Sequence, residues 1–257
     1  MPTITIAIAN QKGGVGKTTT AINLAACLAD KGKRVLLVDI DPQANATSGL
    51  GVQTQLGESI YECLIEGGDP QQKIKETSVP GLYLIPSELD MCGAELELSR
   101  LNNHLKRLAS VLSPLRKSDF DLILIDCPPS LGLLTLNAFA ASDYLLIPMQ
   151  CEYYALEGIT ILLRVLEQLR ESGVNPGLRL LGIVMTMFDP RTRLSHQVLE
   201  EVRKHFPELV FETVIPRATR LAEAPSFGKP IIHYDKYSAG AAAYQLLAQE
   251  ILAKLNL

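Results

Sequence analysis

The segment Lys12-Gly-Gly-Val-Gly-Lys-Thr18 constrains this chain more than any other stretch of its length. Thr3-Ile-Thr-Ile-Ala-Ile-Ala9 precedes it, β-branched and uncharged, and reads as a buried strand. Beyond it Ile22, Leu24, Ala25 and Leu28 recur at helical spacing within residues 18–31, and Gly32 marks the stop. Strand, glycine-rich turn and helix in that order aim successive backbone N–H groups at one point. The helix N-terminus adds the positive end of its dipole. Glycines let the backbone wrap a phosphate without side-chain clashes. Lys17 is placed to reach the outer phosphates of a nucleotide, and the Thr18 hydroxyl to ligate Mg²⁺. The ordinary motif has a glycine separated from the Gly16-Lys17 pair by four residues. Gln11 occupies that place here, and a second lysine, Lys12, opens the loop instead. From average residue usage such a pattern arises by chance with a probability on the order of 10⁻⁴, so a merely flexible turn is set aside.

The rest of the chain repeats the alternation. Residues 34–38, 121–125, 144–148 and 178–187 read as strands. Residues 158–172, 194–205 and 237–255 read as helices. Residues 49–88 are less regular and predict loops with one short helix. Alternating strands and helices argue an α/β fold, a mostly parallel twisted sheet with helices on both faces, three layers in all. The 257 residues, 47% hydrophobic and 20% charged, are expected to form a single domain over 1–257.

Two acidic segments follow predicted strands. Asp126 ends an apolar run and precedes Cys127-Pro128-Pro129, where a carboxylate can hold Mg²⁺ through its water shell. Asp39 and Asp41 lie two apart in Val38-Asp-Ile-Asp-Pro-Gln43, so an extended backbone points both to one side. One is expected near the metal and the other beside an attacking water. A turn held by Asp and Pro is the plainer alternative.

Other signals are weaker. Net charge is −4, and residues 178–240 carry nine Lys/Arg against seven Asp/Glu, a mild basic excess. The five cysteines are widely spaced without a C-x-x-C, which reads as reduced thiols of a cytosolic protein. Met1-Pro2 runs directly into a strand, so no leader is expected. The longest apolar runs are too short to span a bilayer.

Lys12 to Thr19, Asp39 to Gln43 and Ile125 to Pro129 together resemble the ParA/Soj family of partitioning ATPases. The likeness continues through Met185 to Thr192 and is closest from Val214 to Pro230. It implies the phosphate-loop NTPase fold, with ATP and Mg²⁺ as cofactors. The resemblance makes Lys12, Gly13, Gly14, Val15, Gly16, Lys17, Thr18 and Thr19 the nucleotide loop, with Pro216 and Ala218 beside the base. It makes Thr18, Asp39 and Asp126 the metal group, and Lys12, Lys17 and Asp41 the catalytic group. In family members Lys12 crosses to the phosphates of a second copy in an ATP-bound homodimer. Arg191 and Arg220 match arginines of a surface that binds double-stranded DNA without sequence preference. A ParB/Spo0J-like protein is the implied activator, slow partner-stimulated hydrolysis the implied activity, and the nucleoid in the cytoplasm the implied location. Many relatives have Asn where this chain has Ala218, so a side-chain amide contact to the nucleotide is missing or is replaced by backbone. A MinD-like membrane-associated ATPase is the alternative, but the tail from Gln249 to Leu257 has one Lys and one Glu and lacks a basic amphipathic face. A ParA-like ATPase that positions cargo other than DNA is a further alternative.

Overall fold

The computed structural model describes residues 3–117, 120–152 and 155–257. In chain order its elements are β1 (Ile4–Ile8), α1 (Lys17–Asp30), β2 (Val35–Asp39), α2 (Asn45–Gly49), α3 (Ile60–Ile65), β3 (Lys75–Glu76), β4 (Leu82–Ile85), α4 (Met91–Leu98), α5 (Arg107–Leu112), β5 (Leu122–Asp126), α6 (Leu133–Ala141), β6 (Tyr144–Gln150), α7 (Ala155–Glu171), β7 (Arg179–Phe188), α8 (Arg193–His205), β8 (Val210–Pro216), α9 (Thr219–Glu223), α10 (Ile231–Tyr234) and α11 (Ala239–Leu255).

One eight-stranded sheet runs in the order β3-β4-β2-β5-β1-β6-β7-β8. Every pairing is parallel except β3 with β4. The inner strands are apolar throughout because both sheet faces are covered. Leu122 to Asp126 is buried at every position, as is Val35 to Asp39. Alternate residues feed two cores. Leu36, Val38, Ile123 and Ile125 face one side, with Leu134, Ala138 and Phe139 of α6. Val35, Leu37, Leu122 and Leu124 face the other, with α1 and with Tyr244, Leu247 and Ile251 of α11. The α/β expectation holds, and the predicted helix over 237–255 starts two residues later, at a Ser238 cap.

Because these strands are parallel, their carboxyl ends share one edge of the sheet. The loops after β1, β2, β4, β5, β6, β7 and β8 therefore meet there, at the place where such sheets bind ligands. Three strands escaped the sequence pattern: the two-residue β3 at Lys75–Glu76, β4 and β8. Leu82–Ile85 is short and lies in the segment read as irregular, and Val210–Pro216 is interrupted by Glu212 and Thr213. Among the described residues, no helix is long and apolar enough to cross a membrane.

Candidate functional site

The loop after β1 enters α1 through Gly16, whose φ of 86° lies in the left-handed region that favours glycine. Among the described residues no side chain caps α1, whereas α3, α8 and α11 are capped by Ser59, Thr192 and Ser238. The first N–H groups of α1 are thus left for an anion. Two side chains, making three hydrogen bonds, hold the loop in shape. The Thr186 hydroxyl at the end of β7 donates to the Val15 carbonyl at 2.7 Å. Asn10 accepts from the Lys12 N–H at 3.0 Å and donates to the Pro148 carbonyl at 2.8 Å.

The two lysines of the loop differ in placement. Lys17 is buried, and its Nζ donates to the Lys12 carbonyl at 3.0 Å, closing the loop upon itself. Burial lowers its pKa, opposed by the charge of Asp126 and, less strongly, by Cys127 and Asp41. Lys12 turns outward to Glu152, just beyond β6, and both side chains are nearly half exposed. Glu152 carried no sequence signal. Gly13 and Gly14 form the exposed crest of the loop, and Thr18 and Thr19 lie half-buried at its base.

Parallel pairing of β2 with β5 sets Asp39 directly beside Asp126. Both are fully buried. Among the described residues, both carboxylate oxygens of Asp126 are without a hydrogen-bond partner. Its pKa is driven well up, first by burial and then by the Asp39 charge; the nearby Thr18 hydroxyl and Lys17 pull the other way. Thr18 thus lies close to Asp126 without completing a well-formed hydrogen bond to it. Orphaned buried carboxylate oxygens are rare and mark a missing partner. With the Thr18 hydroxyl they form a donor set of hard oxygens that fits Mg²⁺, which keeps several waters and takes its remaining ligands from phosphates. Among the described residues no three His, Cys, Asp or Glu side chains cluster into a closed metal site.

Asp39, expected in the metal group, is hydrogen-bonded on both carboxylate oxygens. Its Oδ1 accepts from the Asp41 N–H at 3.1 Å, and its Oδ2 accepts from the N–H and hydroxyl of Thr47 at 2.9 and 2.7 Å. Both oxygens are engaged by the loop after β2 and by α2, so Asp39 braces that turn. Burial raises its pKa to about 6, against the pull of the Thr47 bonds. Asp41, also buried, accepts the Gln43 N–H at 3.0 Å on its side chain and faces the same edge as Lys17 and Asp126.

A cavity of about 380 Å³ adjoins the loop. Gly16 and Thr19 line one end, Thr186 and Met187 one side, and residues 215–219 with Leu221 and Ala222 the far wall. Tyr244 closes its floor, with its hydroxyl 3.1 Å from that of Thr20. Pro216 and Ala218 therefore stand where a base would lie if the phosphates occupy the loop. Ala218 offers only a methyl group and main chain. Met187, with φ of 51°, holds a left-handed conformation uncommon outside glycine.

The two arginines matched to a DNA surface do not line this cavity, although Arg220 sits between Thr219 and Leu221, which do; both arginines are exposed and ion-paired. Arg191 makes a two-pronged contact to Asp189 at 2.9 and 2.7 Å and holds that carboxyl down at about 2. Arg220 pairs with Glu223 at 2.9 Å and Asp235 at 3.6 Å and lies over the Tyr234 ring. Cys27, Cys63, Cys127 and Cys151 are buried and Cys92 is exposed; all are free thiols.

The AAA domain family model matches residues 3–180. A chromosome partitioning protein ParA of Myxococcus xanthus is 52% identical over 97% of this chain and 88% of its own length. A chromosome-partitioning ATPase Soj of Thermus thermophilus is 54% identical over 98% of this chain and 96% of its own. Among solved structures, a cobyrinic acid a,c-diamide synthase of Mycobacterium smegmatis, with bound ATP analogue and magnesium, is similar at a TM-score of 0.85 and 38% identity, covering 99% of this chain and 96% of that one.

Proposed function

The chain belongs to the ParA/Soj family of chromosome-partitioning ATPases, and from that premise we propose that it is an ATP-gated switch that pairs with a second copy of itself to bind DNA. One observation carries the reading: of the two loop lysines, Lys17 is turned in and buried while Lys12 is turned out and held by a surface ion pair. Such a pair contributes about 0–1 kcal/mol, so Lys12 is free at small cost to reach a terminal phosphate presented by a second copy. A cation supplied across the interface makes pairing depend on the triphosphate.

Thr18 and Asp126 would hold magnesium together with the phosphates, and the ion would neutralise charge on the terminal phosphates. The rest falls to side chains. The α1 N–H groups and Lys17 bind and orient the phosphates, and Asp41 accepts a hydrogen bond from the attacking water and aligns it. Neither supplies a strong general base, in keeping with slow turnover until a partner completes the site. Pro216 and Ala218 pack beside the base, and ATP is the nucleotide proposed. Arg191 and Arg220 contribute to a DNA surface that pairing doubles. A ParB/Spo0J-like protein is the proposed activator and the nucleoid in the cytoplasm the proposed location.

The test uses light scattering with ATP and Mg²⁺. Asp41→Ala, which retains ATP on this reading, is expected to run as a dimer and to retain duplex DNA. Lys12→Ala is expected to bind ATP with an affinity similar to the parent's yet stay a single copy. A Lys12→Ala protein that dimerises normally would remove the trans role.

A further inference from the structure

We infer that Thr47 and Ser87 are positioning residues for hydrolysis, acting through the main chain of Asp41. The inference rests on the reading of Asp41 as the group that orients water. Four buried residues from three parts of the chain form a closed circuit. The Asp41 N–H donates to Asp39 Oδ1 at 3.1 Å, and the Thr47 hydroxyl donates to Asp39 Oδ2 at 2.7 Å. The oxygen of that hydroxyl accepts the Ser87 N–H at 3.0 Å. The Ser87 hydroxyl then donates to the Asp41 carbonyl at 2.7 Å, where the circuit closes. Asp39 and Ser87 are 0% exposed, Thr47 3% and Asp41 6%. In so dry a setting each bond is strong, and removing the Thr47 hydroxyl leaves the Ser87 N–H unpaired.

The circuit grips Asp41 at both main-chain polar groups. Its N–H is fixed by Asp39, and its carbonyl by Ser87 and by the Ala44 N–H at 2.9 Å. The direction in which the side chain leaves the backbone is thereby set, while the carboxylate itself takes the Gln43 N–H on one oxygen. This is the division a water-orienting group needs: a fixed stem and an available head. The end of β4 is secured separately, since Glu88 accepts from the Ser59 hydroxyl at 2.5 Å and the Gly57 N–H at 3.3 Å. Neither Thr47 nor Ser87 lines the nucleotide cavity, so their replacement should act on turnover rather than on binding.

The experiment measures single-turnover hydrolysis and the equilibrium affinity for MgATP on the full chain. Ser87→Ala and Thr47→Val are expected to lower the hydrolysis rate about tenfold or more, since small misplacements of a reacting group are costly, while affinity stays within about twofold. Thr47→Ser, which keeps the hydroxyl, is expected to recover most of the rate. Unchanged rates, affinity falling in step with rate, or a Thr47→Ser protein as slow as Thr47→Val would each overturn the inference. Asp41→Ala separates the two levels. Full turnover in that variant defeats the water-orienting reading itself; abolished turnover there, with parental rates in Ser87→Ala and Thr47→Val, defeats only the positioning role. Ser87→Ala leaves the Ala44 N–H on the Asp41 carbonyl, so it carries the test if Thr47→Val does not fold.

Discussion

Asp39 and Asp126 lie side by side in a place where water cannot reach them, and that geometry has a consequence for stability. Burial lifts the Asp39 carboxyl to about 6 and Asp126 well above its ordinary value, whereas an unfolded aspartate titrates near about 3.9. Between roughly pH 4 and 6 the folded chain keeps a proton on Asp39 that the unfolded chain has released, and the upward shift of Asp126 acts in the same direction. Stability then falls as pH rises through that window. Melting temperature measured in EDTA without nucleotide is expected to drop between about pH 5 and about pH 7, by about 2–4 °C for each kcal/mol involved. Asp126→Asn, which carries no titrating proton, is expected to flatten that slope; an unchanged slope would show that the pair is not responsible. On the proposed reading, Mg²⁺ bound together with nucleotide would engage the partnerless oxygens of Asp126 and offset the cost of burying them.

At the scale of elements, β7 and β8 decide where the base-side wall stands, because Met187 lies at the end of one strand and Pro216 ends the other. Their pairing is irregular, with register shifts between Ile183 and Phe188, and Gly182 lies just before them. A Cβ at Gly182 would come within 2.6 Å of the Phe211 ring and 2.7 Å of the Leu209 carbonyl oxygen. The ring can shift but the backbone cannot. Gly182→Ala is therefore expected to destabilise the fold by about 1–3 kcal/mol, read as a lower denaturant midpoint, and to weaken nucleotide binding through the displaced wall. A midpoint equal to the parent's would mean that β8 yields freely. The sequence showed β7 clearly as an apolar run but hid β8, because Glu212 and Thr213 break its pattern at a sheet edge that is only partly covered.

For the whole molecule, the net charge of −4 means that any affinity for DNA must come from a local surface. Arg191 and Arg220 are not equivalent contributors. Arg220 is held by Glu223, Asp235 and the Tyr234 ring, so replacing it disturbs α9 and α10 as well. Arg191 pairs with Asp189, two residues away in its own loop, through a side chain that is 86% exposed. Arg191→Ala is expected to leave melting temperature unchanged and to weaken ATP-dependent DNA binding equally on unrelated duplexes. The slope of log affinity against log salt should shrink by about 0.9 for each phosphate that is no longer neutralised. Undiminished binding would place Arg191 outside the interface.

The local pattern determined the phosphate loop, the alternation of strand and helix, and acids at the ends of two strands. Each depends on neighbours in sequence: backbone hydrogen bonding, the periods of helix and strand, and the freedom of glycine at Gly16. The pairing of Asp39 with Asp126, the outward turn of Lys12 toward Glu152, and the circuit through Thr47 and Ser87 came only with the tertiary structure. They depend on which strands become neighbours, and that is settled by burying two apolar sheet faces under α1 and α11 on one side and α4 to α8 on the other. Thr47 and Ser87 look like ordinary polar residues of loops until β2, β4 and β5 are laid side by side. Their meaning is a product of strand order, which no local run of residues encodes.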